Sequence, residues 1–330
     1  MNLDQNIQKY FGDIFLSQNK RIESYDYIET FISDNVTNWD TAPDTDSLTE
    51  KFSKEISTFS KEELTFLICH SGYIPEFYTH DSSQETLYSK LVEALVCEWS
   101  VRIGFTSSSL QKQKSSKEDV TIKVKDKVIV CDAKSFRLGR SQSAPNVKDT
   151  IKKADYEKWL SFYDEDERVG GFLTFPSLHL WSRSSDVFSY VSDGTTPIVL
   201  MVYEQMSYFL VKDIGFQKLI DLMDNYNTVH TETTKSPSEY FLKTITYLFN
   251  SHKSDFDLFN SFCDLIIKEK VNHTMEKVND HLKQVHLNII DHIDTIPVEE
   301  LKKNLIESEY HRVCGQLEKQ IVNIKKFRPH

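Results

Sequence analysis

The chain of 330 residues has few of the residues that break or reverse a backbone, with 9 glycines and 8 prolines. This scarcity disfavours an all-β architecture that depends on many tight turns. No apolar run approaches the roughly 20 residues that cross a bilayer, and the first residues carry acids and lack the apolar segment of a signal peptide. We therefore expect an intracellular, cytoplasmic protein with no membrane contact.

Cysteine is also scarce, and its spacing excludes two common kinds of site. The five cysteines are scattered along the chain and include no Cys-x-x-Cys pair. An odd number without a zinc-binding spacing favours reduced thiols over a disulfide framework or a structural zinc centre.

Positive charge is in deficit overall but is concentrated in one segment. The net charge of −11 argues against a general polyanion-binding surface. Residues 101–160 nevertheless hold fourteen Lys and Arg against seven Asp and Glu, a local net of +7, which leaves −18 for the rest of the chain. This basic segment indicates one local anionic partner. The alternative is that Lys123, Lys125 and Lys127 only cover the solvent face of a hairpin, and charge alone does not decide.

The order of periodic segments predicts an α/β fold. Apolar residues recur at helical spacing in the N-terminal region 1–70, with a Ser60-x-x-Glu63 capping box, and again through most of the C-terminal region 216–330. The central region 71–215 combines helices with strand-like segments. We expect the three regions to pack as one large domain.

The central region contains a predicted β-hairpin followed by strands that alternate with helices. Residues 119–134 alternate apolar and polar side chains about a turn at residues 125–127. A helical segment then precedes the apolar segments 171–176 and 197–203. We read the preceding Ser- and Lys-rich residues 106–118 as a polar loop. This order predicts a sheet with at least one crossover connection.

Two acids and a lysine fall at one end of the predicted hairpin. Asp119 opens its first strand and Asp132 closes its second, almost symmetrically about the turn, so the two residues should face each other. Lys134 lies two residues past Asp132, a spacing that points both side chains to the same face of a strand. The alternative is a set of unrelated surface charges, because an Asp-x-Lys triplet alone is a weak signal.

These residue types suit metal-assisted phosphodiester hydrolysis. Carboxylate oxygens bind hard cations such as Mg²⁺, which keeps waters and accepts a substrate phosphate. A bound cation lowers the pKa of a coordinated water and stabilises charge on the phosphate. Lys134 is placed to orient that water or to neutralise the developing charge.

The C-terminal region contains a heptad-like seam. Its apolar residues are spaced 4, 3, 4, 3, 4, and Pro297 precedes a second helical segment; the seam comprises Val271, Met275, Val278, Leu282, Val285 and Ile289. A helical hairpin packed on its own domain is the favoured interpretation. An intersubunit coiled coil is the alternative, although under three heptads is short for a free-standing coil.

Three segments carry a resemblance to a known family: VCDAKSFRLGR (130–140), SGYIPEFYTHDSSQETLYSK (71–90) and PNVKD (145–149). They resemble the PD-(D/E)xK nuclease core and, more narrowly, the HindIII family of type II restriction endonucleases. The resemblance implies a mixed β-sheet flanked by helices, with helical elaborations at both ends. It also implies a homodimer that uses Mg²⁺ to cut both strands of a short palindromic duplex, and it suggests AAGCTT with a 5′ overhang.

The resemblance also assigns roles at the site. Asp119 and Asp132 match the metal-binding acids, Lys134 matches the catalytic lysine, and the backbone carbonyl of Ala133 is a further metal ligand. The motif's proline is replaced by Glu118, which is either a spare ligand or, as we favour, a solvated neighbour.

A third catalytic acid cannot be placed by its usual position, because the loop before Asp119 is basic. Glu85 on the preceding helix is the best candidate and Glu93 is the second. Each has an ordinary alternative as an exposed helix residue or an acid in a first helical turn.

Sequence readout is assigned to the loop and helix that follow the catalytic strand. Asn146, Lys148 and Asp149 match a run that the family resemblance associates with base recognition, and Asn, Lys and Asp suit adenine, guanine and cytosine edges. The alternative is an N-cap asparagine with a first-turn acid. Four further basic residues are expected to contact phosphates: Arg137, Arg140, Lys152 and Lys153.

The predicted partners are double-stranded DNA and a second copy of the chain, with a cognate DNA methyltransferase in the same system but no direct binding to it. Two rival functions stay open. One is a catalytically silent DNA-binding or assembly protein on a nuclease scaffold. The other is a repair or phage-type nuclease with the same core.

Overall fold

The computed structural model describes residues 3–110, 117–138, 152–177, 191, 196–231 and 236–326. The chain divides into two compact units, Met1–Thr274 and Met275–His330. The two units divide after Thr274, which is neither of the boundaries expected from the sequence. All three predicted regions contribute to the first unit, so the boundaries at residues 70 and 215 stay predictions.

A five-stranded mixed sheet lies in the first unit, with its strands in chain order. The strands are β1 (Ser107–Leu110), β2 (Val120–Val124), β3 (Lys127–Ala133), β4 (Arg168–Phe175) and β5 (Ile198–Val202). β1, β2 and β3 are antiparallel neighbours, whereas β3, β4 and β5 run parallel. The predicted α/β class and the predicted hairpin are therefore confirmed, and a helix joins β3 to β4 as a parallel connection requires.

Helices account for most of the described chain, and those packed within the first unit flank the sheet. They are α1 (Leu3–Phe11), α2 (Gln18–Asn35), α3 (Thr45–Ile56), α4 (Lys61–Cys69), α5 (Ser83–Arg102), α6 (Lys153–Leu160), α7 (Tyr203–Val211), α8 (Gln217–Asp224), α9 (Tyr226–Val229), α10 (Pro237–Phe249), α11 (Lys253–Thr295) and α12 (Val298–Lys326). Short 3-10 helices occupy Asp13–Leu16 and Asn250–His252. The predicted capping box is present, with Ser60 and Glu63 exchanging hydrogen bonds at the start of α4.

Helix α5 is the element that connects the helical N-terminal residues to the sheet. Its predicted apolar stripe is buried, because Leu87, Leu91, Leu95 and Trp99 are each at most 1% exposed. Trp99 stacks on Phe172 of β4 with ring centroids 5.7 Å apart. Burial of this stripe holds the helix against the sheet by the hydrophobic effect. The polar side chains of α5 near the strand ends are thereby held in place as well.

One sheet element was not expected from the sequence. Residues 106–118 were read as a polar loop, yet Ser107–Leu110 form the edge strand β1, paired with β2 from Ser107–Lys123 to Leu110–Val120. Edge strands are often short and polar, because only their backbone needs a partner. A serine-rich segment therefore gives little periodic signal even where it is a strand.

The predicted helices of the C-terminal region are confirmed as α11 and α12, which are separated at Pro297. Along the heptad-like seam Met275, Leu282 and Ile289 are 58%, 59% and 51% exposed in the single chain. Among the helices that the structure describes, none combines the length and apolar character needed to cross a membrane.

Candidate active site

The β2–β3 hairpin sets the two predicted acids opposite each other. Val120 pairs with Cys131, and the Asp119 amide donates to the Cys131 carbonyl at 3.0 Å, so the same register places Asp119 across from Asp132. The Asp119 side chain crosses to the other strand, where its Oδ2 accepts a hydrogen bond from the Ala133 amide at 3.0 Å. This meeting of two carboxylates follows from symmetry about a two-residue turn.

Lys134 joins this pair at the end of β3. Its Nζ lies 2.5 Å from Oδ1 of Asp132, and the lysine side chain is 32% exposed whereas that of Asp132 is 7% exposed. The structure therefore brings together Asp119, Asp132 and Lys134, with the lysine on the solvent side. Charge at this position is accessible to a large anionic substrate.

The electrostatics of the pair are unfavourable for two ionised carboxylates. Burial raises the pKa of Asp132, and the neighbouring Asp119 raises it further against the opposing effect of Lys134. Burial alone would lower the pKa of Lys134, but attraction to Asp132 and Asp119 outweighs it and raises the pKa, so the ammonium stays charged. Two acids held this close bind a cation readily, since it replaces repulsion by attraction.

Glu93 is the third acid whose charge is felt at this site. It lies on α5 with 5% exposure, and burial raises its pKa to about 8, with contributions from Asp119 and Asp132 and an opposing one from Lys90. Lys90, one helical turn earlier, forms an ion pair with it. The i, i+3 spacing of Lys90 and Glu93 on α5 is the sequence signal of this pairing.

Glu85, the first-ranked third acid, has a different set of partners. Its backbone amide donates to the Ser82 hydroxyl at 3.3 Å, and its Oε2 accepts from the Asp81 amide at 2.9 Å. The same oxygen lies 3.1 Å from Nη2 of Arg137. Glu85 therefore ties the residues before α5 to its first turn, and a role for Glu85 as the third acid stays a prediction.

Arg137 was expected to contact a DNA phosphate, and the structure argues against that role. Its side chain is 6% exposed, Nη1 donates to the carbonyls of Pro75 and Glu76 at 2.8 and 3.3 Å, and Nη2 reaches Glu85. A guanidinium with these backbone and carboxylate partners holds the segment before α5 in place. It is not presented to a backbone outside the protein.

Glu118 also departs from expectation, because it was taken as a solvated neighbour and is buried. Its Oε1 accepts hydrogen bonds from the hydroxyls of Thr121 at 2.6 Å and Tyr163 at 2.7 Å. Glu118 thereby ties the start of β2 to the segment after α6. The residue that replaces the motif's proline helps to fix the backbone next to Asp119.

The predicted DNA-reading residues are only partly described. Arg140, Asn146, Lys148 and Asp149 lie outside the described residues, so their roles stay predictions. Lys152 precedes α6 and is exposed, and Lys153 lies 3.4 Å from Glu157 in the first turn. Lys152 is therefore accessible to an anionic partner, whereas the Lys153 side chain is 18% exposed and already shares its charge with an acid.

The donor set fits a hard divalent cation supplied in part by substrate and water. Within the described ranges, no three or more His, Cys, Asp or Glu side chains are arranged to hold a metal ion by themselves. Asp119 and Asp132 provide carboxylate oxygens. The Ala133 amide donates to Asp119. The amide and the carbonyl of one strand residue face the same neighbouring strand, so the Ala133 carbonyl lies on the Asp119 side as well. Mg²⁺ typically takes few protein ligands of this kind.

A family model that matches most of the chain shows the family to which it belongs. The family model described as HindIII restriction endonuclease matches residues 32–291. The type II restriction enzyme HindIII of Haemophilus influenzae is 25% identical over 297 residues, which cover 89% of this chain and 83% of that enzyme. Among solved structures, the small subunit (R.BspD6I2) of the heterodimeric restriction endonuclease R.BspD6I aligns with 10% identity and a TM-score of 0.35, covering 49% of this chain and 90% of that one. By the family match over most of its length, the chain belongs to the HindIII family of type II restriction endonucleases, which are site-specific deoxyribonucleases.

Proposed function

We propose that this protein hydrolyses both strands of a short palindromic DNA duplex, using Mg²⁺ held by Asp119, Asp132 and the Ala133 carbonyl. The observation that carries the proposal is the pair of opposed carboxylates with Lys134 at the solvent side of the same sheet end. The reaction adds water oxygen to phosphorus and breaks one phosphorus–oxygen bond to a sugar, whose oxygen takes up a proton. Negative charge grows on the phosphate as this happens, and the site must offset it.

The chain's own groups divide this work. Mg²⁺, when bound, supplies a water of lowered pKa and positive charge beside the scissile phosphate. Asp119 and Asp132 would hold the cation, and the ion pair with Asp132 keeps the Lys134 ammonium at the same end of the sheet. Lys134 then orients the attacking water or neutralises the developing charge. Glu93 is the third acid in this proposal, since it is the further carboxylate that interacts with both aspartates.

DNA recognition is assigned to the chain after β3. Asn146, Lys148 and Asp149 are proposed to read base edges, and Arg140, Lys152 and Lys153 to contact phosphates. The similarity to HindIII motivates AAGCTT as the site and a 5′ overhang as the product. Arg137 is left out of this set because its guanidinium is buried among backbone carbonyls.

A homodimer is proposed because a palindrome has a two-fold axis and each strand needs its own active site. The exposed apolar residues of α11 and α12 support an interface on these helices, since Met275, Leu282 and Ile289 on α11 and Leu305 and Ile306 on α12 are 51–71% exposed in the single chain. Light scattering at micromolar concentration should give twice the monomer mass, and a monomer both with and without DNA contradicts the proposal.

A cleavage assay separates the proposed function from its rivals. Plasmid DNA is incubated with the protein and Mg²⁺, and the products are sequenced at their ends. Discrete fragments ending at one palindrome support a restriction endonuclease. A smear or structure-dependent cutting indicates a repair or phage-type nuclease, and intact DNA with measurable binding indicates a silent scaffold.

A further inference from the structure

A tyrosine from a distant part of the chain donates a hydrogen bond to the backbone of Lys134. Tyr203 is the first residue of α7, directly after β5, and its hydroxyl lies 3.0 Å from the Lys134 carbonyl oxygen. The ring is 1% exposed. Burial raises the pKa of Tyr203 well above its ordinary value, so the phenol keeps its proton and acts as a donor.

This bond takes the place of a missing strand partner. β3 ends at Ala133, which pairs with Thr174 in the last rung between β3 and β4. The Lys134 amide still donates to the Thr174 carbonyl at 2.8 Å, but the Lys134 carbonyl lies beyond that last rung. The hydroxyl of Tyr203 supplies the donor that a further strand residue would have supplied.

A second anchor lies two residues further along. The Phe136 amide donates to the Gly72 carbonyl at 2.8 Å, and the Phe136 carbonyl accepts from the Ile74 amide at 3.0 Å. Gly72 has φ of +87°, and a Cβ at this position would lie 2.5 Å from Cε2 of Tyr203. A glycine is therefore required for the ring of Tyr203 to reach Lys134.

We propose that Tyr203 is a positioning residue that fixes the backbone of Lys134 and so places its ammonium at the scissile phosphate. This inference rests on the catalytic role proposed above for Lys134. The lysine side chain has four rotatable bonds, and its Nζ is held at the far end by the ion pair with Asp132. The backbone from which the side chain extends must be fixed as well if the ammonium is to keep a single position. Misplacement of a catalytic group by about 1 Å is enough to slow a reaction strongly.

Tyr203→Phe tests the contact, because it removes the hydroxyl and keeps the buried ring. We expect the single-turnover cleavage rate at saturating DNA to fall about tenfold. The dissociation constant for cognate duplex in Ca²⁺ should stay within about twofold of the wild-type value, since the buried hydroxyl does not reach DNA. A variant that is merely less stable would lose DNA binding together with cleavage. A slower rate with unchanged binding therefore points to positioning.

Tyr240→Phe is the matched control. Tyr240 is also fully buried, and its hydroxyl contacts the backbone of β5, donating to the Ile198 carbonyl at 2.9 Å. Its removal tests the loss of a buried hydroxyl that bonds the backbone of β5 and not the backbone of Lys134. We expect its cleavage rate to match the wild type at a temperature where the protein is folded. A tenfold loss in this control as well would overturn the inference.

The double variant with Lys134→Ala separates positioning through the lysine from other effects. If Tyr203 acts through Lys134, Tyr203→Phe should lower the residual rate of Lys134→Ala by less than about twofold. A further tenfold loss in that background, or a wild-type rate for Tyr203→Phe alone, overturns the inference while leaving the proposed function intact. A wild-type rate for Lys134→Ala instead overturns the proposed function itself.

Gly72→Ala provides a second route should Tyr203→Phe fail to fold. It adds a Cβ that would press on the ring of Tyr203 and, at 2.7 Å, on Cγ of Pro176. We expect the same pattern of a slower rate with unchanged DNA binding. A folded Gly72→Ala protein that cuts at the wild-type rate overturns the inference.

Discussion

Two clusters of charged side chains in this molecule are built in opposite ways. At Asp255 in α11, Lys9 and Lys212 lie 2.5 and 2.8 Å from the carboxylate and the Tyr208 hydroxyl donates to it at 2.9 Å. Burial would raise the pKa of Asp255, but these donors outweigh it and lower the pKa well below its ordinary value. The cluster joins three helices and favours the charged carboxylate.

At the end of β3 the balance is reversed. Asp119, Asp132 and Glu93 interact with one another, and burial together with like charge raises the pKa values of Asp132 and Glu93. Stability alone would select against such a group. Acids that are held close together despite their mutual repulsion are typical of a site that binds a cation or a substrate. The contrast teaches that local electrostatic strain, more than charge itself, marks the functional end of the sheet.

The largest expected effect comes from removing one of the opposed acids. Asp132→Asn should abolish detectable cleavage, because a ligand for the cation is lost. DNA binding in Ca²⁺ should be kept or improved, since a negative charge beside the phosphate is removed. Gel assays with Mg²⁺ and binding titrations with Ca²⁺ measure the two effects. Asp255→Asn is the matched control and should cut at the wild-type rate; wild-type cutting by Asp132→Asn would show that the site is wrongly assigned.

The next effect concerns the lysine of the same cluster. Lys134→Ala should lower the single-turnover rate by at least ~10²-fold, the usual scale for loss of a charge-stabilising or proton-handling group. The dissociation constant should change by less than about tenfold, roughly 1.4 kcal/mol. Lys148→Ala should reverse the pattern, with weaker cognate binding and about 1–3 kcal/mol less discrimination at one base pair.

Rapid-quench cleavage and binding titrations at one fixed salt concentration compare these two lysine variants, because phosphate contacts make affinity salt-dependent. Normal cleavage by Lys134→Ala at saturating DNA would mean that Asp132 and Lys134 only grip a phosphate.

A smaller effect should separate the two glutamates of α5. Glu93→Gln should slow cleavage about tenfold or more, because it removes a carboxylate that interacts with both aspartates. Glu85→Gln should cut at nearly the wild-type rate and lose some thermal stability, because Glu85 caps α5 and pairs with Arg137. Parallel rate and melting measurements decide. The reverse order of the two rates would restore Glu85 as the third acid.

The smallest effect is on stability, and its dependence on pH should have opposite sign in the two clusters. The folded protein holds a proton on Glu93 up to a pKa of about 8 against an ordinary 4.5, so metal-free stability should fall as pH rises between these values. The slope from one such group is at most about 1.4 kcal/mol per pH unit. Asp255 has the opposite effect, because its pKa in the folded protein is lower than the ordinary 3.8. Its contribution to stability is present at pH values above 3.8 and is lost as the pH falls through the pKa of the folded protein.

Urea unfolding in EDTA, measured from about pH 8 down to well below 3.8, covers both contributions. Glu93→Gln should flatten the decline toward pH 8, and Asp255→Asn should reduce the loss on the acid side. If the free energy of unfolding of both variants varied with pH as in the wild type, the electrostatic contrast between the two clusters would be wrong.

Some of this protein was determined by its sequence alone. The alternation on either side of residues 125–127 determines the hairpin, and the symmetry of that hairpin determines that Asp119 faces Asp132, because strand register is set by the turn. The two-residue spacing likewise sets Lys134 beside Asp132. These are local facts, since each depends on backbone geometry over a few residues. The helices of the C-terminal region follow from periodicity in the same way.

Only the tertiary structure decided which more distant residues reach this point. Glu85 and Glu93 lie on one helix, and the packing of α5 against the sheet, not its periodicity, brings Glu93 within electrostatic reach of both aspartates. Glu85 instead bonds the residues before the helix. Arg137 looks like a phosphate contact in the sequence and becomes a buried brace because the segment before α5 folds over it. Tyr203 is 69 positions from Lys134, and no spacing rule connects them. Such contacts depend on how whole elements pack, because packing is the sum of many weak interactions that no short segment contains.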